Sequence, residues 1–233
     1  MCFSAEASFI SGILLVPPGL YCVAAALQKR YRYLPLALLP LLFGIQQLFE
    51  AGVWIGLQHN EPALVRKCAL GFLFFAIAFW PGWIPFAAAS METRPRLRRI
   101  FFAMALLGMT LGFTCYLQAA FHYGDWLTVG IEGHSIQYDM SRFPVAQLIA
   151  SAVWQGVYLS LVCVPLLISL DRRICIFGIT VAVAALLAHL AFRFAFASVW
   201  CFFAAMLSAQ TASICYCLPK RDRSEARLLL VPA

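Results

Sequence analysis

The sequence predicts an all-α membrane protein built as a seven-transmembrane-helix bundle, and three observations predict it. Of 233 residues, 63% are hydrophobic and 12% charged, with a mean hydropathy of +0.85; soluble domains sit near half apolar and a quarter charged. The apolar residues fall in runs long enough to cross a hydrocarbon core of about 30 Å, which takes about 20 residues of helix. The basic residues cluster between those runs, dense at one connection and sparse at the next.

The spans follow in order. The first covers residues 5–27, with a kink expected at Pro17-Pro18, and the second residues 34–57. The third, residues 68–88, is expected to break at Trp80-Pro81-Gly82-Trp83, and the fourth covers residues 100–120. The fifth runs over 144–170. The apolar block 174–218 would be about 68 Å long as one helix at ~1.5 Å per residue, so it must fold back, with the turn expected at Arg193 to Ser198. Residues 1–218 thus form a single transmembrane domain, and 219–233, with the charged stretch RDRSEAR, a cytoplasmic tail. No basic n-region or A-x-A-like site marks a cleavable signal peptide, so the first span is expected to remain as an anchor.

Charge fixes the expected orientation. Alternate connections hold Lys29, Arg30 and Arg32; Arg94, Arg96, Arg98 and Arg99; Arg172 and Arg173; and Lys220, Arg221, Arg223 and Arg227. The other side holds Arg66, Lys67, Arg142 and Arg193. The N-terminus is therefore expected outside and the C-terminus in the cytoplasm of a cell inner membrane. The long connection 121–143 then lies outside, where Leu127, Val129, Ile131 and Ile136, Tyr138, Met140 alternate about Glu132-Gly133-His134-Ser135 as a short β-hairpin between the fourth and fifth spans. An irregular loop is the competing reading of that segment.

The second span carries the strongest signal of function. Phe43, Gln46, Gln47, Glu50 and Trp54 share one helical face, and Leu41, Ile45 and Leu48 the opposite one. A carboxyl inside a span costs roughly 2.5–3.5 kcal/mol on insertion scales, so its retention points to a protein-lined or water-lined role. Under the expected topology the other intramembrane polar groups gather in the same outer half. They are Glu6 and Ser8; Gln118 and His122; the stripe Gln147, Ser151, Trp154/Gln155 and Tyr158; and His189 with Arg193 one turn on. Polar groups at one depth on several helices are satisfied by facing each other and water.

The expectation is an outward-facing pocket that binds a small polar ligand or a metal, as in a receptor, sensor or carrier. Glu6, Gln46, Gln47, Glu50, Gln147, Tyr158 and Arg193 are its candidate ligand contacts, and His189 and His122 the candidate ligands of a divalent transition metal. The alternative is an intramembrane metal-dependent hydrolase or oxidoreductase, with Glu50 or Glu6 as general base. A third reading makes Glu50 with Arg193 or His189 a structural pair, and the glutamines interhelical glue.

Other classes find no support. The charge of +7 lies in loop clusters rather than on a basic face with interleaved aromatics, so the lipid bilayer and not nucleic acid is the expected partner. The three lysines, at 29, 67 and 220, flank spans, so none holds a retinal Schiff base mid-helix. No HExxH, phosphate loop or serine nucleophile elbow is present. The nine cysteines fall mostly within apolar runs, where Cys behaves as a small hydrophobe.

The opening MCFSAEASF, the segment PLLFGIQQLFEAGVW and the segment VWCFFAA resemble a family of bacterial multi-pass membrane proteins of unknown function, over nearly the whole chain. That resemblance implies a bacterial cytoplasmic membrane. It draws attention to Cys2, Ser4, Glu6, Gln46, Gln47, Glu50, Trp200 and Cys201, and it brings no activity with it.

Overall fold

The computed structural model describes residues 4–132, 135–143, 151–191 and 196–218. The helices are α1 (Ala5–Leu14), α2 (Val16–Lys29), α3 (Leu34–Ala37), α4 (Leu39–Gln58), α5 (Pro62–Leu73), α6 (Trp80–Met91) and α7 (Pro95–Phe121). After them come the strands β1 (Thr128–Glu132) and β2 (Ser135–Asp139). Four further helices complete the chain: α8 (Ser151–Leu167), α9 (Arg172–Ala191), α10 (Phe196–Ser208) and α11 (Gln210–Tyr216).

Five helical stretches are long and apolar enough to cross a membrane: Ala5–Lys29, Tyr31–Gln58, Pro62–Met91, Pro95–Phe121 and Arg172–Leu190. Two shorter apolar helices, Val153–Leu167 and Phe202–Tyr216, accompany them. Large apolar side chains such as Leu106, Leu107, Leu186, Leu187 and Leu190 are exposed, as a lipid-facing surface requires. Tyr31–Gln58 is the most enclosed stretch, 61% buried against 22–44% for the other four, so it is the axis of the bundle. α1, α5 and α10 pack directly on α4.

Prolines explain the interruptions. Pro17 and Pro18 cannot donate to the carbonyls of Ile13 and Leu14, and α1 accordingly gives way to α2 at Leu15. The break expected at Trp80-Pro81-Gly82-Trp83 does not occur: helix continues from Pro62 to Met91 through a π-helical turn at Phe74–Phe79. Opening the turn to i→i+5 bonding, with the Trp80 amide donating to Phe75, accommodates the missing Pro81 donor without ending the helix.

α6 then packs closely on α7 through glycine. The carbonyls of Ile77 and Pro81, four residues before Pro81 and Pro85, face Gly112 and Gly108; a Cβ on Gly108 would lie 2.0 Å from the Pro81 oxygen, and one on Gly112 2.5 Å from the Ile77 oxygen. Backbone carbonyls that lose their helical donors are thus covered by Cα–H groups, the small-residue packing typical of membrane helices.

β1 and β2 pair antiparallel, Val129 opposite Tyr138 and Ile131 opposite Ile136, and so form the short hairpin that the alternation predicted. Leu127, Ile136 and Tyr138 are buried in one cluster with Val53, Trp54 and Phe72, and Tyr138 stacks on Phe72 at 5.0 Å. The hairpin therefore caps the end of α4 that carries Trp54. Of the expected turn at Arg193 to Ser198, residues 193–195 lie outside the described residues and 196–198 already open α10; residues 144–150 of the expected fifth span also lie outside them.

Candidate functional site

α4 turns one polar face inward. Phe43 and Trp54 are buried, and Gln46, Gln47 and Glu50 are wholly inaccessible, whereas Ile45 and Leu48 are 45% and 39% exposed. Neighbouring helices grip this face from two sides. On one side α1 approaches so closely that a Cβ on Gly44 would lie 2.9 Å from the Gly12 oxygen, and that contact lets Ser11 Oγ donate to Gln47 Oε1 at 3.3 Å. The same hydroxyl lies 2.9 Å from the Ser8 carbonyl.

On the other side, α6 presents Trp80, whose Nε1 donates to Gln46 Oε1 at 2.7 Å while Phe43 stacks on its ring at 3.9 Å. Both glutamine carbonyls are thus used and both amide groups remain. Gln46 Nε2, Gln47 Nε2, Ser8 Oγ and Trp54 Nε1 are buried with no hydrogen-bond partner among the described residues. A buried donor left unpaired costs about 1–3 kcal/mol, and four within three turns of α4 and its α1 neighbour form an unusual concentration. Their chemistry suits an acceptor-bearing polar molecule or ordered water, beside the Glu50 carboxyl one turn from each glutamine.

Behind Trp80 lies a narrow cavity of about 20 Å³, room for a single water, lined by apolar side chains with Trp80, Tyr158 and Trp200. Tyr158 is half-buried there and meets Trp200 edge-on at 5.4 Å. Trp80, which bonds Gln46, lines the same cavity.

The remaining candidates sit on other elements or outside the described residues. Glu6 is exposed on the first turn of α1, behind the Ser4 N-cap. His122 follows α7 and stacks on Trp126 at 3.7 Å, beside the hairpin. His189 is half-buried in the last turn of α9. Among the described residues, no three His, Cys, Asp or Glu side chains come together to hold a metal ion. Gln147 and Arg193 lie outside the described residues.

Ser11 and Trp80 escaped the sequence reading. The signal for Ser11 was the Ser8-x-x-Ser11-Gly12 face, small and polar at helical spacing. Trp80 had none, because the proline next to it argued for a break.

A family model described as "Family of unknown function (DUF6629)" matches residues 1–226. No curated protein and no solved structure matches the chain.

Proposed function

The chain belongs to that family of unknown function, and we propose that it is a seven-span inner-membrane protein that binds a small polar ligand within its bundle, as a receptor, sensor or carrier. The observation that carries the proposal is the set of buried donors on Gln46, Gln47, Ser8 and Trp54, arranged about a wholly buried Glu50. A bundle needing only interhelical glue would pair these donors with one another or with backbone carbonyls, since each unpaired one lowers its stability. Glu50, the two glutamine amides and the Trp54 indole are the proposed ligand contacts.

The two shorter apolar helices, Val153–Leu167 within α8 and the Phe202–Tyr216 stretch, supply the fifth and seventh spans of this reading. The charge asymmetry then sets the N-terminus and the β-hairpin outside and the C-terminus in the cytoplasm. In that orientation Trp54 is the outermost member of the polar face, and the hairpin packed over it is the lid through which a ligand would enter.

The test is a melting series on detergent-purified protein with a panel of polar metabolites and divalent metal chlorides. A ligand present at 100 times its Kd stabilises by about 2.7 kcal/mol, readily seen in a thermal scan. At least one compound is expected to raise the melting temperature of the wild type and to lose that effect in Gln47→Leu. A panel without any hit would contradict the proposal.

A further inference from the structure

At the opposite end of α4 from Trp54, two chain reversals meet. The first spans end at Lys29 and restart at Tyr31, and the next pair turns between Met91 and Pro95. Between residues 31–35 and residues 90–98 lies an open groove of about 610 Å³, lined by Tyr31, Arg32, Ser90, Glu92, Thr93 and Arg98 beside Leu34 and Pro35. Ser90 Oγ ties its two walls together by donating to the Arg32 carbonyl at 2.8 Å.

The charges in this groove do not balance. Glu92 is the acid in its lining, and its carboxylate is already engaged: Oε1 accepts from the Thr93 and Arg94 amides at 3.0 and 2.9 Å, and Oε2 from Arg94 Nη2 at 3.0 Å. Arg94 is turned away by that pairing and by a further bond from Nη2 to the Ile168 carbonyl at 3.2 Å. Arg32 and Arg98 therefore face the groove without an acidic partner among the described residues, and Arg32 Nε is buried without a hydrogen bond.

The first turn of α7 compounds the excess. Arg96, Arg98 and Arg99 crowd the positive end of a 27-residue helix whose N-cap makes no side-chain bond. Cations there oppose the helix dipole, and the amides of the first turn are without intrahelical acceptors. Positive-inside topology accounts for basic residues near span ends. It does not account for two arginines lining a concave space whose acid is neutralised.

We propose that this groove binds a phosphate group, with the Arg32 and Arg98 guanidiniums on its oxygens and the Thr93 and Tyr31 hydroxyls as further donors. Guanidinium forks match phosphate oxygens in geometry and charge, and a site at the ends of the spans is within reach of both lipid headgroups and soluble phosphates. The binding is electrostatic and non-covalent and is independent of the buried face of α4.

The experiment measures binding to the full chain, purified in a neutral detergent, with two kinds of probe. One is a short-chain phosphatidylglycerol, with phosphatidylcholine as the neutral-headgroup comparison, and the other is inorganic phosphate. Phosphatidylglycerol or inorganic phosphate is expected to bind the wild type, and the affinity to fall at least about tenfold in R32Q/R98Q. R172Q/R173Q, which removes the same charge outside the groove and away from the start of α7, is expected to bind like wild type.

A response to phosphatidylglycerol alone assigns a lipid headgroup, and an equal response to inorganic phosphate assigns a soluble ligand. Equal losses in the two double variants, or no anion binding at all, would overturn the site. Should R32Q/R98Q fail to fold, R98K decides. It keeps the charge but not the fork, so weakened binding supports the site, and unchanged binding leaves only diffuse charge and contradicts it.

Discussion

Trp80 Nε1 donates to Gln46 Oε1 at 2.7 Å, joining α6 to the axis of the bundle at a point where both side chains are buried. Trp80→Phe keeps a ring for Phe43 to stack on and removes the donor together with part of the buried indole. The Gln46 carbonyl then loses the bond, and stability should fall by about 1 kcal/mol, toward the low end because interhelical bonds in membranes average ~0.6 kcal/mol. Thermal scans should show a melting temperature a few degrees lower with ligand response retained. An unchanged melting temperature would show that the bond contributes nothing.

Gly108 faces the Pro81 carbonyl where no Cβ fits, 2.0 Å away, while Gly156 has nothing within 4 Å. Gly108→Ala should force α6 and α7 apart and destabilise by about 1–3 kcal/mol. Gly156→Ala, on the exposed face of α8, should be neutral or stabilising by up to about 1 kcal/mol, the helix-propensity difference. Melting temperatures of the pair check the packing; equal effects would refute it.

Much of this architecture was legible in the sequence. A carboxyl and two amides in an apolar run can only face inward, so the buried face of Phe43, Gln46, Gln47, Glu50 and Trp54 followed from helical spacing, and the pairing of two short strands followed from their alternation. The clamps on that face were not legible. Ser11 meets Gln47 because Gly12 and Gly44 set how α1 and α4 pass each other, which is a property of the pair. Trp80 reaches Gln46 because a π turn carries the helix past Pro81, where the local rule for proline predicts an end.

The turn at Glu92 should respond to acid. Hydrogen bonds from Arg94, more than its charge alone, hold the Glu92 carboxyl below the usual carboxylate range, against the opposing effect of burial. A group whose pKa is lowered on folding contributes stability above its unfolded value, about 4.3, and loses it as pH falls through the lower folded value. Glu92→Gln should therefore melt below wild type at neutral pH, with the gap closing as pH is taken below about 4. A gap that does not change with pH would mean that the carboxylate's charge is not what holds the turn.

The most direct test of a ligand site on α4 is the melting temperature of wild type and Glu50→Gln, each with and without the compound that stabilises the wild type. Glu50→Gln is nearly isosteric and still hydrogen-bonds. If Glu50 serves a ligand, the variant should melt close to wild type alone, because groups kept for binding contribute little to the fold, and its ligand-induced shift should vanish. If Glu50→Gln instead melts markedly lower and keeps the ligand shift, the buried carboxyl is a structural brace and the proposed site is wrong.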